Sequence, residues 1–221
     1  MFKVDLHIHT CASRDSAVHP ADAIKAAKRR GLDRICITDH NRIDGALVAK
    51  EFDPEFVIVG EEIVTTRGEI LAFFVSEWVP PFLSHQEVLD RLEAQGAVIS
   101  VSHPFDRHRH PWTEAMLEAI LPRLDAVEGF NARSLYAQDN ERAQEFAAVH
   151  NLPTTAGSDA HAAIEIGAAY LDMPLFTSAA EFRVALAEST IHGRLSPAWV
   201  HLITLVNKWR GKLGLKPVLP K

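Results

Sequence analysis

Two histidines occupy alternate positions in the first apolar stretch of the chain, KVDLHIHT at residues 3–10. Side chains two residues apart in a β-strand point to the same face of a sheet, so His7 and His9 would present both imidazole rings together. Asp5 would lie on that face as well. Because neutral imidazole is the commonest metal ligand in proteins, the pair suggests a metal site. The other ligands must come from elsewhere in the chain.

Further polar residues follow the short apolar runs along the chain. They are Asp39 and His40 in ITDHN, Glu61 and Glu62 in VGEEI, His103 in VSHPFDRHRH, Asn131 in EGFNARS, and Asp159 and His161 in AGSDAH. In a βα barrel the carboxyl ends of the strands converge on one face, and catalytic groups gather there. We therefore expect these side chains to meet at a single mouth.

Strands and helices must position these polar side chains. Along the chain, apolar or β-branched runs alternate with amphipathic helical patterns, which is typical of βα units. Pro20 opens and Gly31 closes one predicted helix, and Ser84 with Glu87 forms a capping box at the start of another. Strands are predicted at residues 4–9, 34–38, 56–59, 63–66, 70–75, 97–101, 126–129 and 154–157. The chain has no internal repeat and no Pro/Gly/Ser linker, so one main domain is expected.

Composition and charge narrow the class of protein. The 221 residues are 47% hydrophobic and 24% charged, which is ordinary for a globular chain long enough to bury one sizeable core. A formal net charge of -6 argues against a protein held on nucleic acid by its overall field, so no stable nucleic-acid complex is expected. A local basic patch stays open.

The cysteines and the apolar runs indicate in which cellular compartment the protein is expected. Cys11 and Cys36 are the two cysteines and form no CxxC pair, so neither a disulfide framework nor a thiolate zinc site is indicated. No apolar run approaches the roughly 18 residues of a membrane span, and the first residues lack the pattern of a secretory signal. We expect a cytoplasmic protein. The absence of GxxxxGK[ST], GxGxxG and GxSxG argues against P-loop, dinucleotide-binding and α/β-hydrolase chemistry.

Five motifs in order resemble those of the PHP family, named for polymerase and histidinol phosphatase. They are HIH at residues 7–9, TDH at 38–40, GEE at 60–62, SHP at 102–104 and GSDAH at 157–161, and the resemblance extends from residue 3 to about residue 170. It implies an α/β fold, a distorted seven-stranded (β/α) TIM-like barrel with its metal site at the carboxyl ends of the strands. We place this barrel at residues 1–195. Residues 196–221 are expected to form a C-terminal helical tail, packed on the barrel or at an interface between copies in a homo-oligomer.

The resemblance also implies two or three divalent metal ions at the mouth. The implied ligands are histidines and carboxylates with one amide: His7, His9, Asp15, His40, Glu62, His103, Asn131, Asp159 and His161. Glu62 would bridge the first metal to the second, with Glu61 as an open alternative, whereas Glu69 is given no metal role. Asn131 stands where some family members carry a further histidine on the second metal. Imidazole and carboxylate ligands without thiolate suit zinc, manganese or iron, and the pattern does not choose among them.

The reaction follows from what clustered divalent ions do. They lower the pKa of a bound water toward about 7 and neutralise charge on the oxygens of a phosphate ester. The leading hypothesis is hydrolysis of a phosphoester by a metal-activated hydroxide, with Asp159, His161 and His40 as catalytic residues. The substrate would be the phosphomonoester of a nucleotide or other small molecule, or an oligonucleotide end.

Cations other than metals would hold the phosphate. Arg107 and Arg109 follow His103 in one loop, and Arg133 follows Asn131 in another. Guanidinium groups bind phosphate through two hydrogen bonds, so Arg107 and Arg133 are the candidate substrate-binding residues. Two alternatives stay open: a metal-dependent amidohydrolase or deaminase, and a metal-stabilised binding module without turnover. The arginines favour phosphate, and the nearly complete ligand set favours an enzyme.

Overall fold

One mixed sheet organises the chain, and most of its strands coincide with the apolar runs of the sequence. The computed structural model describes residues 1–109 and 112–219. The strands are β1 Phe2–Ile8, β2 Arg34–Ile37, β3 Val57–Val64, β4 Glu69–Phe73, β5 Val98–Val101, β6 Ala126–Asn131, β7 Thr154–Gly157, β8 Ala169–Met173 and β9 Thr190–Gly193. The helices are α1 Pro20–Arg29, α2 Asp44–Phe52, α3 His85–Ala94, α4 Glu114–Ile120, α5 Ala137–Val149, α6 Ala179–Leu186 and α7 Val200–Lys212.

The sheet has the order β7-β6-β5-β4-β3-β2-β1-β8-β9 and curls until β7 approaches β1. A parallel bridge joins Ile8 to Ala160, and the amide of His9 donates to the carbonyl of Ala160 at 3.0 Å. Gly157 permits this approach, because a Cβ added there would lie 2.2 Å from the Cβ of His7. The sheet is therefore a nearly closed barrel, as a βα pattern predicts in general terms.

The strands differ in number and direction from the predicted seven-stranded TIM-like barrel. Nine strands form the sheet, β4 pairs antiparallel with both neighbours, and β8 pairs antiparallel with β1. A tight turn from Thr65 to Gly68 joins β3 to β4, with the amide of Thr65 donating to the carbonyl of Gly68 at 2.8 Å. So short a connection can only join antiparallel strands, since a parallel pair needs a crossover. β8 and β9 were not among the predicted strands.

β3 is one strand where two were predicted. The runs 56–59 and 63–66 are separated in the sequence by Gly60, Glu61 and Glu62, which interrupt the apolar pattern. In the structure the three residues continue the strand and are buried. Each carboxylate finds a polar partner, Glu62 among the histidines and Glu61 at the amide of Val79 (3.1 Å), so burial is tolerated. Glu62 thus lies inside a strand rather than after one.

The capping signals of the sequence are confirmed. Ser84 and Glu87 form the predicted capping box at the start of α3. Pro20 is the first residue of α1, and Gly31 follows its C-cap with φ +73, a left-handed conformation that glycine adopts at little cost. These local devices fix where helices α1 and α3 begin and end against the sheet.

The predicted C-terminal tail forms α7, which lies at the mouth of the barrel. The side-chain amide of Asn207 donates to the backbone carbonyl of Asp15 at 3.2 Å, and the ammonium group of Lys216 contacts the carbonyl of Cys11 at 3.2 Å. Pro220 and Lys221, the last residues of the predicted tail, lie outside the described residues. Within the described ranges, no helix is long and apolar enough to cross a bilayer.

Candidate metal centre

β1 delivers two imidazole rings to the mouth, as the alternation of His7 and His9 predicts. Both residues are fully buried, with ring centroids 4.9 Å apart. One nitrogen of each ring is held from behind: Nδ1 of His7 lies 2.8 Å from Oε1 of Glu128, and Nδ1 of His9 lies 3.3 Å from Oγ of Ser13. The Nε2 atoms lack a hydrogen-bond partner among the described residues. A ring anchored at Nδ1 with a free Nε2 has the arrangement of a metal ligand.

Glu62 lies at the centre of the histidines. Its Oε1 lies 3.4 Å from Nε2 of His7 and 3.1 Å from Nε2 of His103. Its Oε2 lies 2.8 Å from Nδ1 of His40 and 3.6 Å from Nε2 of His9. A carboxylate whose two oxygens face different imidazoles has the geometry that a bridging ligand requires. Glu61 points elsewhere, so the structure favours Glu62 over Glu61 for this position.

Asp159 divides its carboxylate between the cluster and an arginine. Oδ1 lies 3.1 Å from Nε2 of His9 and 3.6 Å from Nε2 of His7, and it has no hydrogen-bond partner in the described part of the chain. Oδ2 lies 2.6 Å from Nη2 of Arg109. The backbone of Asp159 is left-handed, with φ +51. A non-glycine residue held in that region is strained, and such strain concentrates at functional sites.

A third group lies toward the rim. Oδ1 of Asp15 is 3.4 Å from Nε2 of His161 and 3.7 Å from Nε2 of His40. Ligand atoms of His9, His40 and His161 lie within 4.8 Å of one another. The structure therefore brings together Asp15, His40 and His161, the three residues that the resemblance implies as ligands of a third metal.

Glu69 also joins the cluster, although the sequence argument gave it no metal role. Its Oε2 lies 3.3 Å from Nε2 of His103, and it forms a group with His40 and Glu62 whose ligand atoms lie within 4.8 Å. Glu69 is the first residue of β4 and pairs with Val64 of β3. The sequence signal for this role was its place directly after a tight turn. That place lies opposite the end of the strand that carries GEE.

Asn131 does not have the position expected of a ligand. Its Oδ1 accepts from the backbone amide of Arg133 at 2.9 Å, which fixes the orientation of the side chain. Its NH₂ group donates to Asp159 at 3.2 Å and to Glu128 at 3.2 Å. The group facing the carboxylates is therefore a donor, and Asn131 holds two acids in place rather than offering an oxygen to a cation.

The two predicted phosphate-binding arginines are in different places. Arg107 is 62% exposed, contacts Asp139 at 3.0 Å and stacks over Tyr136, and it is not among the residues that line the cavity over the cluster. Arg133 is 3% exposed and lines a cavity of about 480 Å³ over the cluster, together with Arg109. The loop after β5 thus points Arg109, not Arg107, at the site. The structure does not place Arg107 in the lining of this cavity, and loop sequence carries no periodicity that tells which of two nearby arginines faces inward.

Charges within the cluster suit ligation of a cation. Burial, with His161 and His40 as neighbours, lowers the pKa of His9 well below its ordinary value, so its ring is neutral. Burial alone would raise the pKa of Asp159, but Arg109 and His7 outweigh it and hold this pKa well below its usual range. Neutral imidazole and ionised carboxylate are the forms that bind metals, so His9 and Asp159 are ready to bind one. The neighbouring carboxylates, against the effect of burial, raise the pKa of His7 and of His40, so a metal would displace a proton from each of those rings. The unpartnered atoms and the set of nitrogen and oxygen donors fit divalent ions.

The fold and the site together define a barrel-type protein whose clustered histidines and carboxylates could hold metal ions. Residues 5–93 match the sequence profile of the PHP domain, and residues 137–191 match the profile described as PHP-associated. An uncharacterized protein of Methanocaldococcus jannaschii is 38% identical over 144 residues, which cover 59% of this chain and 82% of that protein. The chain belongs to the PHP domain family.

One further relative and three solved structures are less similar in sequence. YcdX of Escherichia coli, assigned as a phosphatase, is 26% identical over 201 residues, covering 76% of this chain and 82% of YcdX. A protein of Bifidobacterium adolescentis assigned as a metal-dependent phosphoesterase has the same fold, with a TM-score of 0.61, 20% identity, and 72% and 87% of the two chains covered. A lesion-specific endonuclease of Pyrococcus furiosus has a TM-score of 0.61 at 15% identity, covering 100% of this chain and 72% of its own. An amidohydrolase of Chromobacterium violaceum has a TM-score of 0.60 at 13% identity, covering 92% and 96%.

Proposed function

We propose that this protein hydrolyses a phosphoester at the mouth of its barrel. The observation that carries the proposal is a single cavity that combines two kinds of charge. Asp15, His40, Glu69 and His161 of the cluster line this cavity, and so do the cations Arg109, Arg133 and Lys208. A metal centre alone would serve many hydrolytic reactions. A metal centre surrounded by guanidinium and ammonium groups matches an anionic ester.

Two or three divalent ions would be held by the buried histidines and carboxylates. They are His7, His9, Asp15, His40, Glu62, His103, Asp159 and His161, and we add Glu69 because it lies 3.3 Å from His103. Zinc, manganese and iron all accept nitrogen and oxygen ligands of this kind. When bound, such ions lower the pKa of a water molecule toward about 7 and neutralise charge on phosphate oxygens.

The residues of the chain itself have separable tasks in this proposal. Asp159, His161 and His40 are the catalytic residues, since His40 and His161 line the cavity and the carboxylate of Asp159 joins the cluster to Arg109. His40 is partly exposed, and although burial opposes it, the carboxylates of Glu62 and Asp15 raise its pKa to about 9. Glu128, Ser13 and Asn131 orient ligands from behind. Arg109 and Arg133 face the space where the phosphate would lie.

The substrate would be the phosphomonoester of a small molecule such as a nucleotide, or the end of an oligonucleotide. The cavity of about 480 Å³ has the size of a small-molecule site. The assignments of YcdX and of the Bifidobacterium protein support phosphate chemistry, and that of the Pyrococcus endonuclease supports an oligonucleotide. The amidohydrolase of the same fold keeps hydrolysis at carbon as the second candidate.

Release of inorganic phosphate tests the proposal. The full chain would be freed of metal, reconstituted with manganese, zinc or iron, and given a panel of phosphomonoesters and short oligonucleotides with a terminal phosphate. We expect turnover that requires metal and that falls at least 1000-fold in Asp159→Asn, roughly the cost of losing a group that acts directly in catalysis. Turnover of amides or aminated bases, with none on the phosphate panel, would replace the proposal with the amidohydrolase alternative.

A further inference from the structure

Helix α7 supplies part of the wall of the cavity over the cluster. His201, Thr204, Leu205 and Lys208 line the same cavity as the cluster residues. These positions lie beyond residue 191, where the match to the PHP-associated profile ends. This stretch of wall therefore comes from the part of the chain outside the two matched segments.

α7 is fixed against the mouth by polar contacts rather than by a broad apolar interface. Most of its large apolar side chains are exposed, among them Leu202 at 61% and Trp209 at 70%. Asn207, by contrast, is 4% exposed and donates to the backbone of Asp15. The amide of Ser196, just before the helix, donates to the carbonyl of Ala132 at 2.7 Å. The helix is thus tied to the loops that carry Asp15 and Arg133.

The guanidinium group of Arg133 is bound by α7 through one of its nitrogens. Its Nη2 donates to Oγ1 of Thr204 at 2.6 Å. Its Nη1 is buried and lacks a hydrogen-bond partner among the described residues, the nearest carboxylate oxygen being Oε1 of Glu165 at 3.6 Å. An unsatisfied buried donor on a permanently charged group costs free energy unless a ligand meets it. The side chain of Arg133 also lines the cavity, where its charge, offset by Glu165 at 3.6 Å, favours an anionic ligand.

Lys208 places a second cation on the same wall. Its Nζ lies 3.4 Å from Oδ2 of Asp15, while Oδ1 of Asp15 faces His161 and His40. The side chain of Lys208 is 51% exposed and lines the cavity, so its ammonium group can meet a ligand there while it stays beside Asp15. Residues 195–221 contain no aspartate or glutamate and five lysines or arginines. The tail thus adds positive charge only.

We propose that α7 is the specificity element of this enzyme: Lys208, together with Arg133 held by Thr204, selects the dianion of a phosphomonoester over the monoanion of a phosphodiester. The inference rests on the proposed function and names the substrate class of that site. Two cations attract the dianion of a monoester more strongly than the monoanion of a diester, because the diester lacks the second negative charge. Leu205 of α7 and Leu135 would contact the alcohol part of the ester, since both line the cavity.

Paired substrates test the inference. The metal-loaded full chain would be assayed with p-nitrophenyl phosphate and with bis(p-nitrophenyl) phosphate. We expect Lys208→Met and Thr204→Val each to lower kcat/KM for the monoester about 10-fold, because a charge-assisted hydrogen bond contributes about 1.5–3 kcal/mol. The diester rate should change less than about twofold. Lys212→Met, an exposed lysine of the same helix, is the matched control and should alter neither rate.

A binding measurement separates this inference from the proposed function. Calorimetric titration of the metal-loaded protein at pH 8 would use inorganic phosphate, a dianion there, and dimethyl phosphate, a monoanion. We expect the wild-type chain to bind phosphate more tightly, and Lys208→Met to weaken phosphate binding about 10-fold without affecting dimethyl phosphate. Equal losses for both anions, or no loss in Lys208→Met, would overturn the role of α7. Absence of hydrolysis with this binding preference intact would overturn the proposed function instead.

Discussion

Arg109 and Asp159 form a contact of 2.6 Å between Nη2 and Oδ2, while the other oxygen of the same carboxylate faces His9 at 3.1 Å. Asp159 therefore faces the histidine cluster with one oxygen and binds Arg109, a cation of the cavity, with the other. Asp15 repeats the arrangement with His161 on Oδ1 and Lys208 on Oδ2. Cations are thus attached directly to acids of the proposed metal centre.

Replacement of Arg109 by alanine should lower kcat/KM for a phosphomonoester at least 10-fold. The variant loses the cation that neutralises phosphate charge and leaves Oδ2 of Asp159 with the side-chain amide of Asn131. Charge-assisted hydrogen bonds of this kind contribute about 1.5–3 kcal/mol, which corresponds to roughly 10-fold to 100-fold. Steady-state hydrolysis measures the effect. Arg107→Ala, in the same loop but exposed beside Asp139, is the matched control, and an equal loss in that variant would contradict the assignment.

Replacement of Glu128 by glutamine should weaken metal binding without removing any ligand. Glu128 accepts from the amide of His103 at 2.7 Å and contacts Nδ1 of His7 at 2.8 Å. An amide of the same shape must turn its NH₂ group toward one of these donors. Loss of such a supporting contact typically costs 10-fold to 100-fold in metal affinity. Competition with a chelator measures the affinity, and the exposed Glu118→Gln should leave it unchanged.

The position of these groups could be predicted from sequence only where a periodic element carries them. Strand alternation places His7 and His9 on one face, and the order of the motifs brings Glu62, His103 and Asp159 to the same mouth. Loops gave weaker guidance. Which of Arg107 and Arg109 faces the cavity depends on the path of the loop after β5, and no local rule determines that path.

Long-range contacts explain the other differences. The backbone amide of Arg133 donates to Oδ1 of Asn131, so the NH₂ group of Asn131 faces Asp159. The role of Asn131 depends on this contact. α7 was predicted as a tail on the barrel or at an interface between copies. Its place at the mouth follows from single polar contacts such as that of Asn207 with Asp15, for which the sequence has no recognisable pattern.

Gly157 should tolerate no side chain. A Cβ there would lie 2.2 Å from the Cβ of His7 and 2.7 Å from its backbone nitrogen, so β7 or β1 would have to move. Gly157→Ala is expected to lower the free energy of unfolding by roughly 1–3 kcal/mol or more, the usual cost of overpacking. Denaturant titration measures it. Gly211→Ala in α7 meets chiefly the flexible side chain of Lys216 and should be neutral or mildly stabilising, so a similar loss there would contradict the packing argument.

The stability of the metal-free protein should depend on pH through Glu61. Burial raises the pKa of this carboxyl from its ordinary value of 4.5 to about 8. The folded chain therefore holds a proton that the unfolded chain releases, so this group's contribution to stability is present below about pH 4.5 and declines until about pH 8. Glu61→Gln keeps a neutral acceptor at all pH values.

Chemical denaturation at pH 5 and pH 9 tests this account of Glu61. The variant and the wild-type chain should be nearly equal at pH 5, and the variant should be more stable at pH 9 by an amount on the order of a few kcal/mol. A difference that does not change between the two pH values would show that Glu61 has an ordinary pKa in the fold.

The most direct test of the central claim compares two adjacent glutamates. Glu62 lies between four histidines, whereas Glu61, next to it in β3, accepts from Val79 and faces away from them. Elemental analysis and phosphomonoester hydrolysis would be measured on Glu62→Gln and Glu61→Gln after identical reconstitution with metal. We predict that Glu62→Gln loses at least one bound metal per chain and its activity, while Glu61→Gln keeps both. Full metal content and full activity in Glu62→Gln would contradict the proposal that this cluster is a catalytic metal centre.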